Sequence, residues 1–189
     1  MSLKLDYNSP VILTFVFLSL AVLILHYVTA GLSTRACFSV YRGFVTPLWF
    51  VRLIGHVLGH ASWSHYIGNM TLLLLVGPML EEKYGSKVIL EAILITAVVT
   101  GLVNIWIFPF TRLLGASGVV FMMIVMCSVT GSKKGTIPIT LILVIILYIG
   151  QQVVEGVTSN DNISQLTHII GGVLGAVFGL LLRKKGDKE

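Results

Sequence analysis

Apolar residues are gathered into long runs along the chain, and short polar stretches separate these runs. A helix needs about 20 apolar residues to cross the hydrocarbon core of a bilayer. Runs of that kind indicate six spans, the fourth of them short, at approximately 11–30, 62–80, 88–108, 114–130, 136–154 and 165–182. The pattern predicts an all-α membrane protein with six transmembrane helices that form a single domain over residues 1–189.

The stretch between the first two runs, residues 31–59, mixes arginines with aromatic and aliphatic residues. It is too polar to cross a bilayer and too apolar to lie freely in water. Segments of this composition lie in the interfacial region of a membrane. We therefore expect a membrane-embedded first loop.

Composition excludes the soluble and disordered classes of protein. Of the 189 residues, 56% are hydrophobic and only 11% are charged, whereas soluble domains are about 25% charged. Disorder goes with low hydrophobicity and high charge, the opposite of this composition. The net charge of +5 does not indicate a nucleic-acid partner, because excess Lys and Arg in a membrane protein usually reports orientation. The two cysteines are not a spaced pair, which argues against a disulfide framework and a Cys-ligated metal.

The cations divide unequally between the two sides of the predicted bundle. Nine of the 13 Lys and Arg residues fall in loops and termini on one side, and an excess of positive charge marks the cytoplasmic side. Both termini of this multi-pass protein are therefore predicted to be cytoplasmic. The other side carries Arg35, Arg42, Arg52 and Arg112.

Three of the predicted spans carry polar residues at a depth where a charged side chain costs roughly 2.5–3.5 kcal/mol. Each group also has a purely structural interpretation: a serine bonded to a backbone carbonyl, a packed histidine, or small residues that allow close helix contact. The groups are His65 with Asn69 in the second span, the Gly-Ala-Ser-Gly run at 115–118 that opens the fourth, and His168 with Gly171, Gly175 and Gly179 in the sixth.

Taken together, these groups match the parts of an acyl-transfer site. The glycine stripe lies on the same helix face as His168, so a helix packed closely there comes next to the imidazole. If that helix is the fourth, Ser117 and His168 form a nucleophile and base pair. Ser117 also begins a helix, where N–H groups favour a developing anion. His65 and Asn69 add side-chain donors for an oxyanion hole.

The sequence lacks the residues that other intramembrane enzymes and transporters require. No histidine is followed by glutamate, so the His-Glu-x-x-His zinc motif is missing, and no carboxylate lies near the histidines at 56, 60 and 65. The aspartates at 6, 161 and 187 lie outside the spans, which disfavours an aspartyl protease. Ion-coupled transporters usually carry intramembrane carboxylates, for which Glu91 and Glu155 at helix ends give thin support.

Three motifs, in order along the chain, give a resemblance to a known family. They are H-x-x-W-x-H-x-x-x-N at 60–69, G-x-S-G at 115–118 and H-x-x-G-x-x-x-G at 168–175, and Glu81 with Gly85 resembles a further E-x-x-x-G. The chain resembles the rhomboid intramembrane serine proteases, in the compact six-helix form typical of prokaryotes. The similarity covers nearly the whole chain, and the motifs together are far more specific than G-x-S-G alone.

The resemblance implies an endopeptidase that hydrolyses peptide bonds in or near transmembrane segments of single-span or polytopic membrane proteins, in the inner or plasma membrane of a prokaryotic cell. It implies Ser117 as nucleophile and His168 as general base, with no metal and no cofactor. His65 and Asn69 would line the oxyanion hole. The oligomeric state stays open. The supporting residues implied are His60, Gly115, Gly118, Phe121, Gly171 and Gly175.

Two positions depart from the family pattern. Val51 precedes Arg52 where a tryptophan is expected, which alters the expected anchoring of the first loop. Phe121 stands where tyrosine is common; it can still stack under His168 but lacks the hydroxyl. The Asn-, Ser- and Asp-rich segment 155–165 is expected to act as a mobile lid. Two other functions stay open: an inactive rhomboid-like protein that binds membrane helices, and a small transporter.

Overall fold

Helices make up the architecture of the computed structural model, which describes residues 5–130 and 162–186 and a few isolated positions between these ranges. Within these residues the chain forms seven α-helices and one 3₁₀ turn, at His56–Leu58. The expected fifth span, 136–154, lies almost entirely outside the described residues, as does the expected lid up to residue 161. The helices are α1 (Pro10–Val28), α2 (Leu32–Ala36), α3 (Pro47–Gly55), α4 (Trp63–Tyr84), α5 (Ser86–Ile107), α6 (Ser117–Thr130) and α7 (Asn162–Gly186).

α6 is surrounded by other helices. Every residue from Gly118 to Met126 is buried, because α4, α5 and α7 each pack against α6. A helix that is apolar all round belongs in such a position, since its whole circumference needs to be covered. The start of α6, at Ser117, is therefore fixed by contacts from three neighbouring helices.

Two of the described helices, α1 and α5, are long and apolar enough to cross a membrane. The apolar helices at Ser117–Thr130 and Leu166–Leu182 are shorter, and so is the Pro47–Leu58 segment of the first loop. The helical architecture is thus observed, while the number of spans stays a prediction.

Several helix ends differ from the sequence expectation. Pro78 removes one backbone hydrogen bond without ending α4, which stops only at Gly85, where φ is +85°. α6 begins at Ser117 and not at 114, because Gly115 has a φ of +121° that is incompatible with a helix. α7 already begins at Asn162 and not at 165, so the last residues of the expected lid are helical.

A buried carboxylate joins the end of α4 to the start of α1. Glu81 is 4% exposed, and its two oxygens accept N–H bonds from Val11 at 2.9 Å and from Ile12 at 3.0 Å. Ser86 Oγ donates a third bond, of 2.7 Å. The first N–H groups of a helix have no acceptor within the helix, and the helix dipole favours negative charge there. Glu81 therefore caps α1 from a distant part of the chain.

Close packing continues the contact between α1 and α4. A Cβ atom on Gly77 would lie 2.7 Å from Cδ1 of Ile12, which is fully buried. Further along the same pair of helices, Tyr66 Oη donates to the Val16 carbonyl at 3.2 Å. Contacts of this kind, with small residues and polar bonds, hold helices together in lipid. They fix the direction of α4, whose first turn carries His65.

Glu81→Gln is expected to lower the melting temperature of the protein in detergent. An amide accepts only at its oxygen, so at least one of the Val11 and Ile12 N–H groups loses its acceptor. A buried donor left unpaired costs about 1–3 kcal/mol. Glu82→Gln is the matched control, because Glu82 is the next residue and is exposed. Equal melting temperatures of the two variants would contradict the capping role of Glu81.

Candidate active site

Ser117 is the first residue of α6 and is half-buried. The backbone bond at the start of this helix runs from the Val120 N–H to the Ala116 carbonyl, at 2.9 Å. The N–H groups of the first turn therefore have no acceptor within the helix. These groups and the helix dipole favour negative charge at this point. The Ser117 hydroxyl thus lies where an anion is stabilised.

Contacts with the first loop hold the segment that leads into α6. Val40 and Leu113 form an antiparallel pair, with N–H···O bonds of 2.9 and 3.0 Å. The Gly115 N–H donates to the His56 carbonyl at 2.9 Å. Asn104, buried in α5, adds a bond of 3.3 Å from Nδ2 to the Val40 carbonyl. The backbone that precedes the serine is thereby fixed at two places.

A stripe of glycines on α7 lets this helix approach the backbone of α6. A Cβ atom on Gly171 would overlap the carbonyl oxygen of Gly118, and one on Gly175 would overlap that of Met122. Gly179 continues the contact one turn further along. The close packing that the glycine spacing predicted is observed, and it leaves no room for a side chain at 171 or 175.

This packing places the turn that bears His168 beside the start of α6. The Thr167 methyl group lies 3.0 Å from the position that a Cβ atom on Gly118 would take. Ser117 and His168 are the chain neighbours of these two residues, and His168 is only 3% exposed. The two residues expected to act as nucleophile and base therefore lie on adjoining turns of two helices in contact.

The rings of Phe121 and His168 are inclined to each other and are not stacked. The ring centroids are 6.3 Å apart and the ring planes are inclined at 65°. The expectation that Phe121 stacks under His168 is therefore wrong. The physical reason lies in Gly172: the Phe121 ring fills the space that this glycine leaves, with Cε1 at 2.7 Å from where a Cβ atom would be. Phe121 still packs beside the imidazole and limits its movement.

His65 lies against the turn before Ser117. A Cβ atom on Gly115 would be 2.8 Å from both Cε1 and Nε2 of the His65 ring, so only glycine fits there. The first turn of α4 places this histidine, because Ser62 Oγ accepts the His65 backbone N–H at 3.2 Å. The imidazole is therefore next to the backbone on which an oxyanion hole would form.

Asn69 is held by another histidine of the same motif. Asn69 Nδ2 lies 3.2 Å from His60 Nε2, and His60 Nδ1 lies 3.1 Å from the Leu58 carbonyl oxygen. Both side chains are buried. Because a carbonyl only accepts and an amide nitrogen only donates, His60 is neutral and carries its proton on Nδ1. His60 thus uses one N–H of the Asn69 amide and fixes the direction of the other.

The sequence analysis overlooked three residues that build this site. Asn104 and His56 hold the backbone before Ser117, and Thr167 packs against Gly118. Asn104 carried a usable signal, since an amide in an apolar span is costly unless it is bonded. The His56 contact uses the backbone carbonyl, and no side-chain pattern reports such a contact.

We compared the sequence with models of known protein families, and one of them matches the part of the chain that contains the candidate site. The Rhomboid domain model matches residues 47–185, which is most of the chain and includes every candidate site residue. The chain belongs to the rhomboid family. A comparison with curated proteins found no match.

This rhomboid protein is therefore a helical integral membrane protein, of a family that consists mostly of serine proteases. In the part of the chain that the structure describes, no three His, Cys, Asp or Glu side chains are grouped closely enough to hold a metal ion. The groups available at its candidate site are a hydroxyl, imidazoles and an amide.

Burial lowers the pKa of two histidines that lie outside the α-helices of this rhomboid. The pKa of His56 falls from 6.5 to about 4 because burial disfavours the imidazolium ion. The pKa of His60 also falls to about 4, chiefly by burial and further by the nearby charge of His65. Both rings are neutral at pH 7, as the hydrogen bonds of His60 require.

The stability of the protein is expected to fall as the pH is lowered from 6.5 towards 4. In this window the unfolded chain binds protons at His56 and His60 and the native chain does not, so the free energy of unfolding falls as the pH falls. His60→Gln keeps a donor and an acceptor but does not titrate. It is expected to reduce the difference in melting temperature between pH 6.5 and pH 4. An unchanged difference would show that His60 does not contribute to this pH dependence.

Gly175→Ala is expected to lower the melting temperature of the protein in detergent. The new Cβ would overlap the Met122 carbonyl and push α7 away from α6. Gly68→Ala is the matched control, a helical glycine with nothing within 4 Å of the added atom. Alanine is the better helix former, so the control keeps full stability. Equal melting temperatures of the two variants would contradict the importance of the α6–α7 contact.

Proposed function

We propose that this rhomboid protein is an intramembrane serine endopeptidase, which cleaves peptide bonds in or near transmembrane segments of other membrane proteins. The observation that carries the proposal is the contact of Gly118 with Thr167 and Gly171, which leaves Ser117 and His168 on adjoining turns. The family match supports it, because the family consists mostly of serine proteases.

In the proposed reaction His168 accepts the hydroxyl proton while Ser117 Oγ attacks the scissile carbonyl carbon. The new C–O bond turns the carbonyl into a tetrahedral oxyanion. Collapse of this intermediate breaks the C–N bond, and His168 returns the proton to the leaving amine. The acyl ester on Ser117 is then hydrolysed by water, which His168 deprotonates, and the serine is restored.

The proposed oxyanion has three kinds of candidate donor. They are the N–H groups of the first turn of α6, the His65 side chain beside Gly115, and the second N–H of the Asn69 amide. Donors fixed in advance stabilise an oxyanion best, and loss of one typically costs about 10²–10³ in rate. His60 supplies this fixation for Asn69, so it would act by positioning the amide.

The proposed topology follows from the unequal distribution of cations. With both termini in the cytoplasm, the start of α6 faces the opposite side of the membrane. Ser117 is half-buried and not fully buried, which fits the entry of water from that side. The proposed substrates are single-span or polytopic membrane proteins, which reach the site through the surrounding bilayer.

Ser117→Ala is expected to abolish both fluorophosphonate labelling and proteolysis of a transmembrane substrate, with a loss on the order of 10⁶ in rate. His168→Ala is expected to do the same, because nucleophile and base act as a unit. Ser128→Ala is the matched control: this serine also lies on α6, and its hydroxyl donates to the Ile124 carbonyl at 3.0 Å. The control is expected to keep the wild-type rate of proteolysis and the wild-type extent of fluorophosphonate labelling.

Proteolysis that persists in pure Ser117→Ala protein would rule out the proposed mechanism. Folded wild-type protein that takes no label would instead favour one of the other two functions considered above, an inactive rhomboid protein that binds membrane helices. The melting temperature of each variant distinguishes loss of chemistry from loss of fold.

A further inference from the structure

Two arginines from different parts of the chain meet at one aromatic ring. The guanidinium carbon of Arg52, in α3, lies 4.6 Å from the centroid of the Tyr41 ring, and that of Arg112, shortly before α6, lies 4.4 Å from it. The two carbons are therefore separated by at most about 9 Å, a distance at which like charges repel. Each guanidinium is attracted to the ring, so Tyr41 holds the two charges together.

Acidic side chains do not balance this pair in the part of the chain that the structure describes. The ion pair found there, Lys87–Glu91, involves neither arginine. The remaining described acids are Asp6, before α1, and Glu81 and Glu82, at the far end of α4. The two arginines thus form a region of positive charge at the Ser117 end of the bundle.

Each guanidinium has donors to spare. Arg52 Nε donates to the Leu48 carbonyl at 3.2 Å, and Arg112 Nη1 donates to the Arg35 carbonyl at 3.3 Å. A guanidinium carries five N–H donors in a planar fork that matches the oxygens of a phosphate group. The pair can therefore bind one phosphate through several charge-assisted hydrogen bonds.

Large apolar side chains are exposed beside the arginines. Apolar side chains that border charged ones in this way are typical of segments at the boundary between acyl chains and headgroups. Arginines at that depth extend towards the phosphates while their stems stay in apolar surroundings. In the first loop the exposed side chains are Phe44, Val45, Leu48, Phe50, Val51 and Ile54, with exposed fractions between 44% and 93%.

We propose that Arg52 and Arg112, held by Tyr41, bind the phosphate of an anionic phospholipid in the leaflet that surrounds the first loop. A phosphate between the guanidinium groups relieves their repulsion, and the acyl chains of the same molecule cover the exposed apolar side chains. Inorganic phosphate could satisfy only the first of these two requirements. The combination of positive charge and exposed apolar side chains therefore favours a lipid. The proposal does not depend on whether the protein is a protease.

The bound lipid would add a connection between two segments that already meet. Arg52 belongs to the first loop and Arg112 to the segment before α6, the same segments that pair through Val40 and Leu113. A headgroup held by both arginines would strengthen this junction. The free energy of binding would then appear as added stability of the folded protein.

Native mass spectrometry of the purified protein tests the proposal, with titration by phosphatidylglycerol or by phosphatidylcholine of the same acyl chains. We expect wild-type protein to retain phosphatidylglycerol in preference to phosphatidylcholine. The Arg52→Gln/Arg112→Gln double variant is expected to bind it at least about tenfold more weakly, as lost charge-assisted bonds imply. Arg42→Gln is the matched control, because Arg42 is an exposed arginine of the same loop outside the pair at Tyr41. It is expected to bind like the wild type.

Four results would overturn the proposal. Equal weakening in the control and the double variant would show diffuse attraction to positive charge. Unchanged binding by the double variant would show that the lipid binds without the two arginines. Equal retention of the two lipids by wild-type protein would also contradict it, whether or not any variant folds. Displacement of the lipid by an equal concentration of inorganic phosphate would show a site for free anions.

Discussion

Two helices inside a bilayer gain little by covering their apolar side chains, because the surrounding lipid is equally apolar. Their separation is set instead by how closely their backbones can approach. For α6 and α7 this distance depends on Gly171 and Gly175, where even one methyl group would overlap a carbonyl of α6. The relation between Ser117 and His168 follows from that distance, since each residue lies beside the contact. The geometry of the candidate site is therefore a property of the helix contact.

The position of Ser117 also depends on the route that the backbone takes into α6. A helix start gives Ser117 its N–H environment, but the turn before it needs support because Gly115 has a backbone conformation that a helix cannot continue. That support comes from the first loop, through Val40, and from the carbonyl of His56. The His65 ring closes the same turn from the side of α4. The first loop thus helps to determine where Ser117 lies.

Much of the fold and the main elements of the candidate site could be predicted from the sequence, because their signals are local. Runs of apolar residues mark helices, and glycines at 171, 175 and 179 mark a helix face that packs closely. Contacts over long distances could not be predicted in this way. The carboxylate of Glu81 and the amide of Asn104 find backbone partners that no spacing in the sequence reports. The tilt of Phe121 against His168 depends on the space beside Gly172, which only the packed helices define.

The cap on α1 has a consequence for the order of assembly during synthesis. Glu81 follows Val11 by 70 residues and Ile12 by 69 residues, so α1 leaves the ribosome well before its cap exists. Until α4 is complete, the first amides of α1 have only solvent or lipid headgroups as partners. α1 is therefore made before α4 but does not reach its final place ahead of it. Its N-terminal end becomes fixed only when the last turn of α4 arrives, and a nascent chain that stops before residue 81 would carry an unanchored α1.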